Sequence, residues 1–413
     1  MEGLRDRRVY IETYGCTYNH ADTRKLALIL EGQGCRIVAG PDEADAVVIN
    51  TCTVIGKTER HMLRRIRAFA DRDLYVTGCM PVVQAAEILG AAPSARLLFP
   101  EEISERFCGA CTGVVGGAGI VQVAAGCAGR CAYCITRAAR GPLRSRPKEA
   151  ICREVEALVG RGAYEVQVTG QDVSAWGMDL GERLPALIDA VSVLPGDFLL
   201  RLGMMNPATA QGIAVPLARL LGEAKVFSFV HLPVQSGSDA VLAAMRRGYT
   251  AGEFEAMVAA FRKACPEVRI CTDFIVGYPT ETEGDFAESM ALLRAIRPEK
   301  VNVTRYSPRP GTPAAALKTM PERIAKDRSR ILDAAAKEIY REQNAALVGE
   351  TVEAVVTCRK KEGSVVARDR AYREIVVPGN FLPGERLNVR ITGNRTVYLT
   401  GRATSSNTGT ANR

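Results

Sequence analysis

The chain has 413 residues, a formal net charge of +8, 13 cysteines and three histidines. That length is more than one hydrophobic core supports, so two or three domains are expected, and no apolar run reaches the roughly 20 residues of a membrane span. The charged opening, Met1 to Arg8, has no apolar core behind it and is not expected to be a secretory signal; this argues for the cytoplasm, where cysteines are expected to be metal ligands or nucleophiles rather than disulfides, and so few histidines argue against a His-rich zinc hydrolase.

Residues 1–112 alternate short β-branched runs (Val9-Tyr-Ile11, Ala46-Val-Val-Ile49, Leu74-Tyr-Val76) with helical stretches such as 23–31, the pattern of a small doubly wound parallel sheet. A Gly/Cys/Ala-rich passage, 108–119, reads as a linker. Beyond it, strands at 121–125, 165–169, 198–203, 226–232, 269–276 and 300–306, with amphipathic helices such as 254–263 and 285–296, suggest a partial (βα)6 barrel with its reactive groups at the strand carboxyl ends. A long charged helix, about 321–347, ends this second domain, 113–345. Residues 346–402 read as short strands at 351–357, 364–368, 374–377, 386–391 and 396–399, with turns at Pro378-Gly-Asn380 and Gly393-Asn394. They form a small antiparallel β-barrel in which 349–402 carries ten Lys/Arg against six Asp/Glu. The polar end, 403–413, is expected to be disordered.

The sharpest chemical signal is Cys127-x3-Cys131-x2-Cys134, directly after the first strand of the second domain. Three thiolates on one short loop hold three irons of a [4Fe–4S] cluster and leave the fourth open. An open iron suits a bidentate ligand such as S-adenosylmethionine (SAM), from which one electron releases a 5′-deoxyadenosyl radical. A structural zinc loop would need a fourth Cys or His close by, and none follows Cys134 until Cys152. Cys16, Cys52 and Cys79 each follow an apolar strand, so all three lie on the carboxyl edge of one parallel sheet; the alternatives are a second cluster or three small core residues. Cys108 and Cys111 form a C-x-x-C in the linker, outside any βα context, and Cys35, Cys152, Cys265, Cys271 and Cys358 read as packing residues.

Around the loop, Tyr133 is placed to lay its ring or backbone against an adenine, or simply to pack. Gly170, Gln171 and Asp172 end the next strand, where polar groups can bind the amino end or ribose of SAM and Asp172 can cap a helix. Gln235, with Ser236, ends the fourth strand and Asp273 lies on the fifth; both are candidate cofactor or substrate contacts, while His231 is a candidate base or a structural histidine. Arg137, Arg140, Arg144, Arg146 and Lys148 follow the loop with no acid before Glu149, a candidate phosphate-binding block. Lys57, Arg60, His61, Arg64, Arg65 and Arg67 read as a solvated helix face.

Together, the dispersed cysteines, the Gly-rich break, C-x3-C-x2-C, the strand–helix units and the terminal barrel resemble, over about residues 8–402, the radical-SAM methylthiotransferases. Stretches similar to that family are Ala139-Arg-Gly141, Arg144-Ser-Arg-Pro147, Thr169-Gly-Gln-Asp172, His231-Leu-Pro-Val-Gln-Ser-Gly-Ser238 and Thr272-Asp-Phe-Ile-Val-Gly-Tyr-Pro-Thr-Glu281. Ala128-Gly129 and Ala138-Ala139 are smaller than is usual in that loop. The resemblance implies an N-terminal methylthiotransferase domain with an auxiliary cluster, a radical-SAM barrel and an RNA-binding TRAM barrel. It further implies two [4Fe–4S] clusters on catalytic cysteines, SAM as radical source and methyl donor, a ferredoxin- or flavodoxin-like electron donor, a sulfur source, and a monomer without membrane attachment.

Arg201-Leu-Gly-Met-Met-Asn-Pro207, with Asp172…Gly177 and Tyr306-Ser-Pro-Arg-Pro-Gly-Thr-Pro313, is similar to the archaeal and eukaryotic branch. That branch transfers a methylthio group to C2 of N6-threonylcarbamoyladenosine (t6A) at position 37, in the tRNA anticodon loop; by position, Met204 and Asn206 would read the threonylcarbamoyl group. Other branches act on isopentenyladenosine-37 or a ribosomal protein. From a different class, a non-catalytic iron–sulfur RNA-binding protein is the alternative.

Overall fold

The computed structural model describes residues 1–54, 56–222 and 225–405; the Lys57 side chain and the expected tail over 406–413 lie outside them. The first sheet holds β1 (Arg8–Thr13), β2 (Arg36–Val38), β3 (Ala46–Thr51), β4 (Leu74–Gly78) and β5 (Arg96–Leu97), all parallel, in the order β2-β1-β3-β4-β5. Every residue of β3 is buried, as a parallel strand covered on both faces demands. The strand order reverses between β1 and β3, and such a switch point opens a crevice at the carboxyl ends. Gly78 enters that edge at φ +90°, where a Cβ would stand 2.2 Å from the Thr51 carbonyl oxygen. Only glycine lets β4 turn so close to the end of β3, immediately before Cys79.

The stretch expected as a linker is partly a hairpin. β6 (Val114–Val115) pairs antiparallel with β7 (Ala118–Gln122) through Gly116 and Gly117, both at positive φ (58° and 77°). Two such residues in succession make the tight turn that matches strand twist, so the barrel begins at Ala118 rather than at 121. A small antiparallel ribbon of β8 (Ala124–Ala125) and β9 (Arg144–Ser145) then ties off the base of the cysteine loop between them.

Next come β10 (Glu165–Thr169), β11 (Leu199–Leu202), β12 (Phe229–His231), β13 (Arg269–Val276) and β14 (Lys300–Arg305). β7, β10 and β11 run parallel, as do β12, β13 and β14, and bridges at Leu200–Val226 and Met204–His231 join the two groups into a partial barrel of six parallel strands. Val166, Val168, Leu200, Leu202, Val230, Ile270 and Phe274 pack outward against helices through Leu158, Leu187, Leu217, Phe254 and Leu293. Strand alternation therefore turns Gln167, Arg201, His231 and Asp273 to the inner face.

Last in the chain is a closed barrel of β15 (Thr351–Lys361), β16 (Ser364–Asp369), β17 (Glu374–Pro378), β18 (Arg386–Asn394) and β19 (Leu399–Ser405), antiparallel except where β17 meets β19. The final strand starts at Leu399 rather than 396, and Ala403 to Ser405, expected in the tail, pair with Val389 and Asn388 of β18. Ala403 packs on the barrel core, which is why the polar run around it did not disclose a strand. The barrel docks on the amino-terminal edge of the larger one. Tyr372 sits 4.8 Å from Phe227 and 5.4 Å from Phe229 between ring centroids, and its hydroxyl donates to Glu165 Oε1 at 2.8 Å. The carboxyl edge is left for chemistry. Among the described residues no helix is long and apolar enough to cross a membrane.

Candidate metal and cofactor centre

Cys16, Cys52 and Cys79 gather at the carboxyl edge of β1, β3 and β4, Cys16 exposed and the other two buried. Burial pushes the Cys52 thiol up to about 11, and the Cys79 and Cys16 charges push the same way. Cys79 is raised by burial too, against the pull of the Arg140 guanidinium, which hydrogen-bonds it. Arg140 reaches across from the second domain. It pairs with Asp22 at 2.7 Å, donates to Asn19 Oδ1 at 2.7 Å and stacks 5.0 Å from the Tyr18 ring, its side chain 6% exposed.

Cys127, Cys131 and Cys134 lie on the loop tied off by β8 and β9, each half-buried. The loop is pinned at Ala132, whose N–H donates to Met245 O and whose carbonyl accepts from Ala314 N–H, both at 2.9 Å. Arg137 Nη1 holds the Cys127 carbonyl at 2.6 Å, and the Gly129 N–H points at Cys127 Sγ, 3.3 Å away. Burial pushes the Cys127 thiol up to about 11, against the Gly129 N–H, and Asp172 and the neighbouring thiols add to it. Cys134 is likewise raised by burial, opposed by Thr136. Buried thiols crowded in this way resist ionising alone, and a bound metal centre is what deprotonates them.

Among the described residues, the one group of His, Cys, Asp or Glu whose three ligand atoms all lie within 4.8 Å is His231, Cys271 and Asp273. Both cysteine trios are more open than that, as a multi-iron group requires and a tetrahedral zinc does not. At Gly129 a Cβ would stand 3.4 Å from Cys127 Sγ, 3.8 Å from Cys131 Sγ and 3.6 Å from Asn206 Nδ2, filling the space between two sulfurs.

The rim residues divide. Asp172 is 2% exposed, and both its oxygens are engaged: Oδ1 accepts from Ser174 Oγ (2.6 Å) and Asn206 N–H (3.0 Å), Oδ2 from Thr209 Oγ1 (2.7 Å). Burial raises its carboxyl against those donors. It therefore holds the Asn206–Thr209 turn beside the loop, rather than facing a ligand or capping a helix with its side chain. Gln171 Oε1 and Gln235 Oε1, by contrast, are buried without a partner among the described residues. Gln235 is also held at φ +74°, its N–H on Asp273 O and its carbonyl accepting from Ile275 N–H, a strained geometry of the kind found at ligand sites. At Gly170 a Cβ would meet nothing nearer than 3.5 Å, so the strand end beside Gln171 is uncrowded. Asp273 Oδ1 accepts from His231 Nε2 (2.8 Å) and Asn302 Nδ2 (2.7 Å). Burial pulls His231 down, but its hydrogen bonds to Asp273 and Cys271 win and push it up to about 9, which favours its protonated form at neutral pH. Tyr133 packs with Ala132, Met245 and Tyr278 behind the loop, and Met204 is exposed where β11 ends.

The basic residues divide by depth. Arg140 is buried between the cysteine groups and faces no phosphate, a correction to its assignment. Arg146 pairs with Glu154 (2.6 Å), Lys148 with Glu182 (2.8 Å) and Arg144 with Glu101 (2.9 Å), though Arg144 stays exposed. On the helix Gly56–Ala68, Arg65 pairs with Glu12, while Arg60, Arg64 and Arg67 are exposed and form no ion pair among the described residues. Two buried arginines escaped sequence reasoning because arginine is a surface residue by default. Arg309 pairs with Glu59 and donates to Thr53 O beside Cys52, and Arg247 lies against Cys131.

Comparison with known proteins agrees with this layout. Residues 121–293 match the Radical SAM superfamily, residues 8–100 the Uncharacterized protein family UPF0004, and residues 345–404 the TRAM domain. The chain is similar to a Methanothermobacter thermautotrophicus protein named a probable threonylcarbamoyladenosine tRNA methylthiotransferase (36% identity over 97% of this chain and 99% of that one). An Archaeoglobus fulgidus protein of the same name is 38% identical over 95% and 98%, and the Drosophila melanogaster threonylcarbamoyladenosine tRNA methylthiotransferase 32% over 94% and 76%. In fold it is similar to the radical S-adenosylmethionine methyltransferase TsrM of Kitasatospora setae (TM-score 0.54, 14% identity, 87% and 80% covered). With three domains in this order and archaeal relatives matched almost end to end, the chain belongs to the family of threonylcarbamoyladenosine tRNA methylthiotransferases.

Proposed function

We propose that this chain transfers a methylthio group to C2 of threonylcarbamoyladenosine-37 in the tRNA anticodon loop, with one [4Fe–4S] cluster held by Cys127, Cys131 and Cys134 and a second by Cys16, Cys52 and Cys79. The observation that carries the reading is the pair of cysteine trios on two domains, their sulfurs spread wider than 4.8 Å, with one buried arginine reaching from the second domain to the first trio. When bound, cluster and SAM supply one-electron radical chemistry, which an aromatic C–H inert to acid–base side chains requires. The chain's own residues bind and position. Gln171 and Gln235 offer their unpartnered amide oxygens to donors of SAM or substrate, Asp172 fixes the Asn206 turn, and Tyr133 backs the loop. Arg60, Arg64 and Arg67, with the basic terminal barrel, offer charge to an RNA backbone, and the splayed base is read over the barrel rim. The electron comes from a ferredoxin- or flavodoxin-like carrier and the sulfur from a separate source, in the reducing cytoplasm.

The deciding experiment is anaerobic. Reconstituted protein is given SAM, dithionite and t6A-containing tRNA, and the digested nucleosides are analysed by mass spectrometry. A methylthio-t6A peak is the expected result. Its absence, with 5′-deoxyadenosine still formed, would sink the substrate while sparing the radical chemistry.

A further inference from the structure

Arg247 is 7% exposed, in the turn between the helices Asp239–Ala244 and Ala251–Ala264. Its Nη1 donates to Cys131 Sγ at 3.2 Å and contacts the Tyr133 hydroxyl at 3.4 Å. Nη2 donates to Pro233 O at 3.0 Å, and Nε to the Tyr249 hydroxyl at 2.9 Å. No carboxylate pairs with it among the described residues. Of the other deeply buried arginines, Arg140 has Asp22, Arg309 has Glu59 and Arg328 has Glu281, while Arg269 rests on the Tyr372 and Glu299 carbonyls and touches no cysteine of either trio. Asp172 acts on Arg247 only at longer range, its oxygens already occupied. A guanidinium desolvated without an anion is strongly unfavourable, and of the acceptors around Arg247 the Cys131 sulfur is the one that becomes a full anion when it ligates metal.

We propose that Arg247 is the charge-compensating and positioning residue of the cluster on Cys127, Cys131 and Cys134, its Nη1–H bonded to the Cys131 sulfur so that the cluster accepts its electron more readily. This rests on the assignment of that trio as a [4Fe–4S] site. Reduction adds one electron, here from dithionite, and one negative charge to the cluster. A fixed cation in a dry setting favours the more negative state, and hydrogen bonds to cluster sulfurs act in the same direction. Tyr133 and Tyr249 hold the fork in place, and Pro233 ties it to the loop that carries Gln235.

The test is a potentiometric titration followed by electron paramagnetic resonance, on full-length protein whose Cys16, Cys52 and Cys79 are all alanine, so that one cluster reports. Arg247→Gln is expected to lower the equilibrium constant for one-electron reduction about tenfold, a shift of about 59 mV, and Arg247→Lys to recover most of it. An unchanged potential in Arg247→Gln with full iron content would overturn the proposal and leave Arg247 a strut for the Pro233 loop. If Arg247→Gln takes up no iron, Arg247→Lys decides: a cluster in the lysine protein upholds the charge role, and none there overturns it. No cluster signal in the parent, with Arg247 intact, would instead overturn the assignment of the trio.

Discussion

Cys131 and Cys52 stand at the centres of the two trios, so single changes there separate the two halves of the chemistry. Cys131→Ala is expected to reduce 5′-deoxyadenosine formation to background. Cys52→Ala should keep most of it while methylthio-t6A disappears; product from the Cys52 variant would refute the division of labour. His231 allows a test by pH. Its folded value, about 9, stands above the ordinary imidazole value, so the folded state binds the proton more tightly than the unfolded one. That contribution is fully present below about pH 6.5 and is lost as pH rises through about 9. At about 1.4 kcal/mol per unit, roughly 3 kcal/mol is at stake. Urea unfolding of the reduced protein at pH 6 and pH 9.5 should show a fall about that much larger in the parent than in His231→Gln, the buried thiols lowering stability equally in both. A run of charges along the chain carries no information about depth, so the sequence marks Arg140 as a phosphate ligand and does not distinguish Arg247 from a surface arginine.

Among elements, the helix Gly56–Ala68 carries Arg60, Arg64 and Arg67 in one exposed row, three and four residues apart as helix neighbours are. Replacing the three by glutamine should leave helicity unchanged and flatten the dependence of log Kd for tRNA on log salt by about 2, at about 0.7 per phosphate contact. An unchanged slope would remove this helix from the RNA surface. The same helix shows why its role was hard to read: a solvated face and a nucleic-acid face have one composition, and the free cations are told apart only by the missing carboxylate partners. Strands were easier. β10 and β13 were placed to the residue, because runs of β-branched and apolar residues bounded by glycine or charge have few other solutions. β2 and β5, three and two residues long, are too short for any period, and the Gly116-Gly117 turn looked like mere punctuation.

For the whole molecule, the terminal barrel is fastened by an aromatic plug, with an ion pair between Arg386 and Asp197 at its edge. Tyr372 fills the amino-terminal mouth of the partial barrel, on Phe227 and Phe229 and beneath Arg201, whose guanidinium carbon lies 5.7 Å from its ring. Tyr372→Ala is expected to cost about 3–5 kcal/mol and to speed proteolysis between the long helix Glu322–Ala345 and β15. Equal stability and equal protease resistance would show the barrel to be held elsewhere. Domain order and class were visible in the sequence, whereas this docking was not, since a contact between Tyr372 and residues about 140 positions earlier has no local signature. At the carboxyl edge, the helix Thr136–Arg140 is five residues long, starts next to the cysteine loop and ends on Asp22 of the other domain. It acts as a gauge block that sets the spacing of the two trios. Tyr18, Asn19 and Asp22 therefore form one unit with Arg140, and a chimera that exchanges the first domain alone with that of a relative must carry all four positions as a set or strand a charge in the seam.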